Sequence, residues 1–175
     1  MIEIDNIEGY LSSVDGTHYM YTGTFDPPHL GHLRVIEEAS KLGDWNRPLL
    51  INPCDRNKDK HSIISNLEIR KRWVKIMCEE IENQVILVDD PRYRDIPGSM
   101  DDIFRKYNNR LIKIVGMDRK VEDGITTVQI QEARINGRSS TAIKKSIQEW
   151  RNDHIEHLPK RLLDDILSSW HQFKF

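Results

Sequence analysis

The chain has few cysteines, no long apolar run and almost no excess of charge. Its two cysteines, Cys54 and Cys78, form neither a Cys-x-x-Cys pair nor a zinc pattern, so we interpret them as unpaired thiols of a reducing compartment. No apolar stretch approaches the roughly 20 residues of a membrane span. The start, Met-Ile-Glu-Ile-Asp-Asn, is too acidic for a signal peptide. These absences predict a cytoplasmic protein that does not associate with a membrane.

The charge balance gives no reason to expect a nucleic-acid partner. Lys and Arg number 26, Asp and Glu number 28, and the formal net charge is −2. The 175 residues fit one domain with a sizeable core. We expect this domain over residues 18–175. The extension over residues 1–17 has weak periodicity and could cover a sheet edge or a neighbouring subunit, so oligomerisation stays open.

One stretch, Tyr21–His32, organises the prediction of function. The aromatic run His18–Tyr21 before it suits a buried strand, and a helical apolar period follows it. At such a strand-to-helix turn, backbone N–H groups and the positive helix end favour a phosphate. Gly23 is interpreted as a position where the backbone approaches a ligand. His29 and His32, three residues apart, are expected to share one face and point at the same anion.

Two imidazoles aimed at a phosphate predict phosphoryl-group chemistry without a covalent intermediate. Such chemistry depends on positioning the reactants and on neutralising charge. The plain alternatives are a helix start that happens to contain histidines, or a pair of metal ligands. The Gly-Thr-Phe-Asp-Pro-Pro frame before His29 favours a functional site. Within it, Asp26 could reach Mg²⁺ or could orient the turn.

Runs typical of strands alternate with helical periods along the rest of the chain. The predicted strands are Pro48–Asn52, Gln84–Val88, Leu111–Gly116 and Thr126–Ile130. The first predicted helix covers residues 65–81, with Ser65 and Glu68 as a capping box, and the second covers 99–107 after a loop at 89–98. A third helix is predicted from Ser139 or Ser140 to Trp150. A fourth follows Pro159, and its buried stripe is Leu162, Leu163, Ile166, Leu167 and Trp170. The prediction is one doubly wound α/β domain, a parallel sheet with a helical C-terminal piece.

In such sheets ligands lie beyond the carboxyl ends of the strands. Four segments are expected at that edge: the Tyr21–His32 stretch, the loop after Pro53, the turn at Gly116 and the turn over Arg138–Thr141. Their common location is the reason to group them into one site.

The segment Gly23–His32 resembles the signature of the HxGH nucleotidylyltransferases, and its Pro-Pro-His form is most similar to nicotinate or nicotinamide mononucleotide adenylyltransferases. The resemblance covers most of Tyr19–Leu167 and implies a Rossmann-like nucleotidylyltransferase fold. It implies that AMP passes from ATP to a mononucleotide, giving a dinucleotide of NAD biosynthesis and pyrophosphate, with Mg²⁺ assisting. Two small-molecule substrates are thus implied, with His29 and His32 as catalytic residues. The ATP-binding residues implied in this segment are Gly23, Thr24 and Phe25.

A second motif, Arg138–Lys144, resembles the Ile-Ser-Ser-Thr-x-Ile-Arg motif that cradles the triphosphate in the same family. By itself it reads as a helix N-cap. The resemblance implies that ATP is bound by Ser139, Ser140, Thr141 and Lys144. The chain has Arg138 in place of the leading Ile and Lys144 in place of the Arg. Lysine keeps the positive charge of arginine but cannot bind a phosphate through two parallel hydrogen bonds. We therefore expect weaker ATP binding, or a contribution to ATP binding from Arg138 or Lys145.

Two further segments match the family more loosely. Val115-Gly116-Met117-Asp118 resembles its Gly-x-Asp turn, which implies that Gly116 and Asp118 bind the nucleotide, although a strand-end glycine with a capping Asp needs no ligand. Pro53, Lys60 and Arg70 match the family's spacing. Lys60 would then bind a phosphate, against the alternative of a solvated basic loop with Arg70 in a structural ion pair.

The acceptor remains open at this point. Nicotinate-specific members carry a Ser-Tyr-Thr-x-Asp-Thr stretch where this chain has Gly98–Asp102 without the Tyr-Thr pair. Nicotinate and nicotinamide mononucleotide are therefore both retained, and a phosphopantetheine adenylyltransferase is a close alternative. A nucleotide-binding regulator that keeps the fold without turnover is the alternative from another class.

Overall fold

Six parallel strands form the centre of the computed structural model, which describes residues 1–44, 46–54, 65–94, 99–116, 121–130, 139–149 and 155–169. The strands are β1 (Ile2–Ile4), β2 (His18–Gly23), β3 (Leu49–Pro53), β4 (Val85–Val88), β5 (Leu111–Gly116) and β6 (Thr127–Ile130). Their order in the sheet is β1-β4-β3-β2-β5-β6, and every neighbouring pair is parallel. The predicted α/β class with a parallel sheet is confirmed.

Seven helices are described around this sheet. They are α1 (Ile7–Ser13), α2 (Leu30–Ser40), α3 (Leu67–Met77), α4 (Pro91–Arg94), α5 (Ser99–Lys106), α6 (Ser140–Gln148) and α7 (Lys160–Ser169), with one 3-10 turn at Ile155–His157 before α7. None of the described helices is long and apolar enough to cross a membrane.

Two buried clusters lie on opposite faces of the sheet. In β3, Leu49 and Ile51 belong to the cluster that also contains core residues of α2, α3, α6 and α7. Leu50, between them, belongs to the second cluster, with core residues of α1 and α5. Because successive strand residues point to opposite faces, this alternation identifies a sheet with helices on both sides. The uninterrupted apolar run of β3 follows directly from that double burial.

The first residues of the chain form one edge of the sheet. Ile2–Ile4 pair with Ile86–Val88 of β4, and Ile7 and Leu11 of α1 are fully buried. The Asp90 carboxylate after β4 accepts a hydrogen bond from the Ile7 amide at 3.0 Å. The sequence allows residues 1–17 to cover a sheet edge or a neighbouring subunit. The structure shows the first role, because β1 pairs along the edge of β4.

Four local predictions are wrong. The cap of α3 is Asn66, whose side chain accepts from the Ile69 amide, and not Ser65. The helix ends at Met77, so residues up to 81 continue as turns. The predicted loop at 89–98 contains the short helix α4. Leu167 was predicted in the buried stripe of the last helix, but it is 44% exposed because it lies away from the buried face of α7. Trp150 and Trp170 lie outside the described residues.

A buried histidine lies at the amino end of β2. His18 is fully buried, and its ring packs edge-on against Tyr10 of α1 with 5.6 Å between centroids. Burial lowers the pKa of His18, and the positive charge of Arg110 lowers it further. The folded protein therefore holds this ring in its neutral form.

This burial predicts a loss of stability in mild acid that His18→Phe should remove. Between the lowered pKa of the folded state and about pH 6.5, the unfolded chain binds a proton at this histidine more readily than the folded chain does. The free energy of unfolding therefore decreases as the pH decreases, by up to about 1.4 kcal/mol per pH unit. Urea unfolding at pH 7.5, 6.5 and 5.5 measures the slope. The wild-type and His18→Phe proteins are compared by the slope of their unfolding free energy against pH. The substitution also changes packing, but that change is the same at all three pH values and does not affect the slope. Equal slopes in both proteins would contradict the assignment.

Candidate active site

Three strand ends and one helix start meet at the carboxyl edge of the sheet. β2 lies between β3 and β5, and the chain leaves β2 toward one side and later returns to the other. Such a reversal of strand order opens a crevice where α/β sheets bind ligands. The Cys54 amide donates to the Gly23 carbonyl at 2.9 Å, which keeps the ends of β2 and β3 together. Gly116 ends β5 and is buried at the same edge.

The start of α2 is capped by the two histidines themselves. His29 is the N-cap, and its Nδ1 accepts from the Gly31 and His32 amides at 3.1 and 3.4 Å. In return the His32 Nδ1 accepts from the His29 amide at 3.2 Å. This is a capping box built from two imidazoles, where Ser and Glu are the usual pair. The rings stack with 3.7 Å between centroids, so the predicted shared face is confirmed.

This capping fixes which ring nitrogens carry hydrogen. In a neutral imidazole one nitrogen donates and the other accepts. Because both Nδ1 atoms accept backbone N–H groups, both neutral rings carry their hydrogen on Nε2. Each ring therefore has an N–H donor at Nε2, and both rings lie at a helix N-terminus, where negative charge is favoured.

Phe25 lies in the hydrophobic core. It is fully buried, with its ring 5.6 Å from Tyr21 and 4.9 Å from His32 between centroids. Its φ of 49° lies in the left-handed region, which side chains other than glycine seldom adopt. A Cβ on Gly23 would meet this ring at 3.1 Å. The described neighbour that favours a glycine at position 23 is thus the Phe25 ring, which also packs against the His32 ring.

Arg70 of α3 holds three segments of the site by their backbones. Its guanidinium is fully buried and donates to the carbonyls of Thr24 at 2.8 Å, Cys54 at 2.7 Å and Ser65 at 3.1 Å. These carbonyls belong to the turn after β2, the end of β3 and the start of α3. Of the two roles considered for Arg70, the structural one is seen, through carbonyl oxygens.

Asp26 is the buried anion of the turn. Its Oδ1 accepts from both the amide and the hydroxyl of Ser65, with the amide at 3.2 Å. Its Oδ2 accepts from the Lys144 ammonium at 2.9 Å. These contacts match the orienting role considered for Asp26. Sequence reasoning named Ser65 only as a helix cap and missed its contact with Asp26, because no spacing rule links two residues 39 positions apart.

The second motif starts α6 against this turn. The Ser139 side chain accepts from the Ala142 amide at 3.2 Å and caps the helix, as predicted. The buried Ser140 hydroxyl donates to the Pro27 carbonyl at 2.9 Å. Thr141 and Lys145 are exposed. The structure therefore brings the first and second motifs into direct contact, with Ser140 buried and Thr141 exposed in the first turn of α6.

Several predicted residues lie outside the described residues. They are Lys60, Asp118, Arg138 and His154. Among the described residues no group of three or more His, Cys, Asp or Glu side chains could hold a metal ion.

The sequence of the chain is similar to those of known proteins. The sequence profile of the cytidylyltransferase-like family matches residues 20–146. A phosphopantetheine adenylyltransferase of Rhodopirellula baltica is 30% identical over 158 residues, which are 86% of this chain and 84% of that protein. A probable nicotinate-nucleotide adenylyltransferase of Sulfurovum sp. is 27% identical over 137 residues, 78% of this chain and 63% of the relative's length.

A solved structure shares the fold. The nicotinic acid mononucleotide adenylyltransferase of Plasmodium falciparum, complexed with NaAD, superimposes with a TM-score of 0.62 at 18% identity. The match covers 91% of this chain and 99% of that one. The likeness confirms the nucleotidylyltransferase fold that the first motif implied.

Replacing Arg70 tests its structural role. Arg70→Met should lower the free energy of unfolding by about 3 kcal/mol or more, since three buried carbonyls lose a charged donor. Arg72→Met in the same helix is the matched control. Arg72 is half exposed and pairs with Asp165 at 2.9 Å, so its loss should cost less than about 1 kcal/mol. Urea unfolding of both variants checks this, and equal losses would contradict the role assigned to Arg70.

Proposed function

The chain belongs to the cytidylyltransferase-like family, and on this premise we propose that it transfers AMP from ATP to nicotinate or nicotinamide mononucleotide. The observation that carries the proposal is the stacked pair His29 and His32 at a helix start, whose Nδ1 atoms accept backbone amides so that each Nε2 carries the hydrogen. The Pro-Pro-His form of the motif supports a pyridine mononucleotide as the acceptor, and the Sulfurovum relative supports nicotinate.

In the proposed reaction a phosphate oxygen of the mononucleotide attacks the α-phosphorus of ATP. The new P–O bond forms as the bond between the α-phosphorus and the bridging oxygen to the β-phosphorus breaks. The products are a dinucleotide and pyrophosphate, and no group on the protein becomes covalently bound. Negative charge moves onto the α-phosphate oxygens and the leaving group, so donors fixed before the reaction lower the barrier.

The two rings and the start of α6 divide this work. The Nε2–H groups of His29 and His32 are proposed to donate to the ATP phosphates, and the charge on those phosphates rises in the transition state. The backbone amides at Ser139–Thr141 are proposed to hold the departing pyrophosphate, because a helix N-terminus favours an anion. Ser139 and Thr141 are exposed and can contribute their hydroxyls.

Mg²⁺ is proposed to arrive as part of the nucleotide substrate. Mg²⁺ commonly binds to substrate phosphates with one or two protein carboxylates. The described carboxylate nearest in sequence to the histidines, Asp26, is held by Lys144 and Ser65 and fits an orienting role better than that of a metal ligand. Bound to the phosphates, the ion would offset their negative charge.

A second acceptor is favoured by one comparison. The Rhodopirellula relative, a phosphopantetheine adenylyltransferase, is matched over 84% of its length. 4′-Phosphopantetheine offers the same attacking group, a phosphate monoester, so the site chemistry described above serves either acceptor.

Pyrophosphate release identifies the acceptor. With ATP and Mg²⁺ the purified protein should release pyrophosphate at least a hundredfold faster with nicotinate or nicotinamide mononucleotide than with 4′-phosphopantetheine or with no acceptor. A coupled pyrophosphate assay measures all four conditions. Release with phosphopantetheine alone would replace the first proposal by the second. ATP binding by calorimetry without release under any condition would identify a non-catalytic regulator.

His32 is the residue most expected to be essential, and its two nitrogens can be tested separately. Asparagine places an oxygen near the Nδ1 position, so His32→Asn keeps the acceptor for the His29 amide and loses the Nε2 donor. Its kcat should fall a hundredfold or more, as for the loss of one transition-state donor, and His32→Ala should fall at least as far. Thermal unfolding checks that His32→Asn stays folded. A folded His32→Asn variant with nearly unchanged kcat would remove the Nε2 donor from the mechanism.

A further inference from the structure

We propose that Lys144 and Asp26 form a positioning pair that holds α6 against the turn before His29 and thereby raises kcat. In this role Lys144 does not bind the triphosphate of ATP. This inference rests on the proposed function for its kinetic consequence. It departs from the ATP-binding role that the second motif implies for Lys144. The departure concerns the position where this chain has lysine in place of the family's arginine.

The pair is buried and close. The Lys144 Nζ lies 2.9 Å from the Asp26 Oδ2, and the two side chains are only 10% and 4% exposed. They come from segments 118 residues apart, the turn before α2 and the second turn of α6. A lysine in such a place needs a partner for its charge, and Asp26 supplies it.

A second attachment, seen among the described residues, joins the same two segments. One turn earlier in α6, the Ser140 hydroxyl donates to the carbonyl of Pro27, the residue after Asp26. Two contacts about one helical turn apart fix both the distance and the tilt of α6 relative to the turn. A single contact would leave the helix able to pivot about it.

The pair fixes the position of the N-terminus of α6 relative to the N-terminus of α2. The turn that holds Asp26 continues into the His29 cap of α2, while Ser140 opens α6. In the proposed reaction the rings and the start of α6 act on different phosphates of one ATP molecule. Their separation therefore sets whether both can act in the same transition state, and small misplacements of such groups cost large factors in rate.

A direct grip by Lys144 would carry a penalty in this structure. Moving the ammonium out to a phosphate would break its buried ion pair with the Asp26 carboxylate, which is strongly unfavourable. Ser65 would still donate to Oδ1, but Oδ2 would lose its charge-assisted hydrogen bond of 2.9 Å. The lysine is thus better placed to hold Asp26 than to follow the substrate.

Two single variants and one combined variant test the pair. The variants are Lys144→Met, Asp26→Asn, and the combined Asp26→Asn/Lys144→Gln, whose two amides can bond each other without charge. The matched control is Lys41→Met, which removes a lysine from an exposed pair with Glu38 of 2.6 Å. Steady-state kinetics give kcat and KM for ATP for each. We expect each single variant to lose at least tenfold in kcat with KM for ATP within threefold. The combined variant should be no worse than the poorer single variant, and the control should be unchanged.

A second readout does not depend on turnover. Amide hydrogen exchange over residues 24–32 and 140–148 should speed up in both segments when either partner is replaced, and in neither segment for Lys41→Met. Because this readout needs no acceptor, it decides the pair even if wild-type protein releases no pyrophosphate, an outcome that would instead refute the proposed function. Unchanged exchange in both single variants would overturn the positioning pair. So would a tenfold rise in KM for ATP with unchanged kcat in Lys144→Met while Asp26→Asn behaves as wild type.

Discussion

A single buried carboxylate, that of Asp26, constrains how the rest of the site can be arranged. Removing either partner of a buried ion pair typically costs about 3–5 kcal/mol, so the Asp26 carboxylate favours the arrangement in which both Lys144 and Ser65 donate to it. One partner lies at the entry to α3 and the other in α6. The position of two helices relative to β2 is thereby tied to one side chain in the first motif.

The turn around this carboxylate is held through its backbone as well. Arg70 donates to the Thr24 carbonyl and Ser140 to the Pro27 carbonyl, while the histidine caps close the start of α2. The left-handed backbone at Phe25 is sustained within this set of contacts. Rigid support of this kind lets a site place donors before its ligand arrives, so less free energy is lost in reorganising them.

Sequence patterns predicted the parts of the fold that long-range contacts do not decide. Strands β2 to β6 are continuous apolar or alternating runs, and they were predictable for that reason. β1 is three residues long and mostly exposed, so its pairing with β4 left no local signal. The motif likewise identified residue types but not directions. Phe25 turned into the core and Lys144 turned to Asp26, because each direction depends on residues far away in the chain.

The edge strand has a consequence for the order in which the sheet can assemble. β1 comes first in the chain but finds its neighbour only when β4 exists, and the Ile7 amide meets the Asp90 carboxylate across 83 residues. Closing so long a loop is entropically slow, so this edge should complete late in folding. Until then β4 presents unpaired backbone groups to other chains, which is a recognised route to aggregation during synthesis.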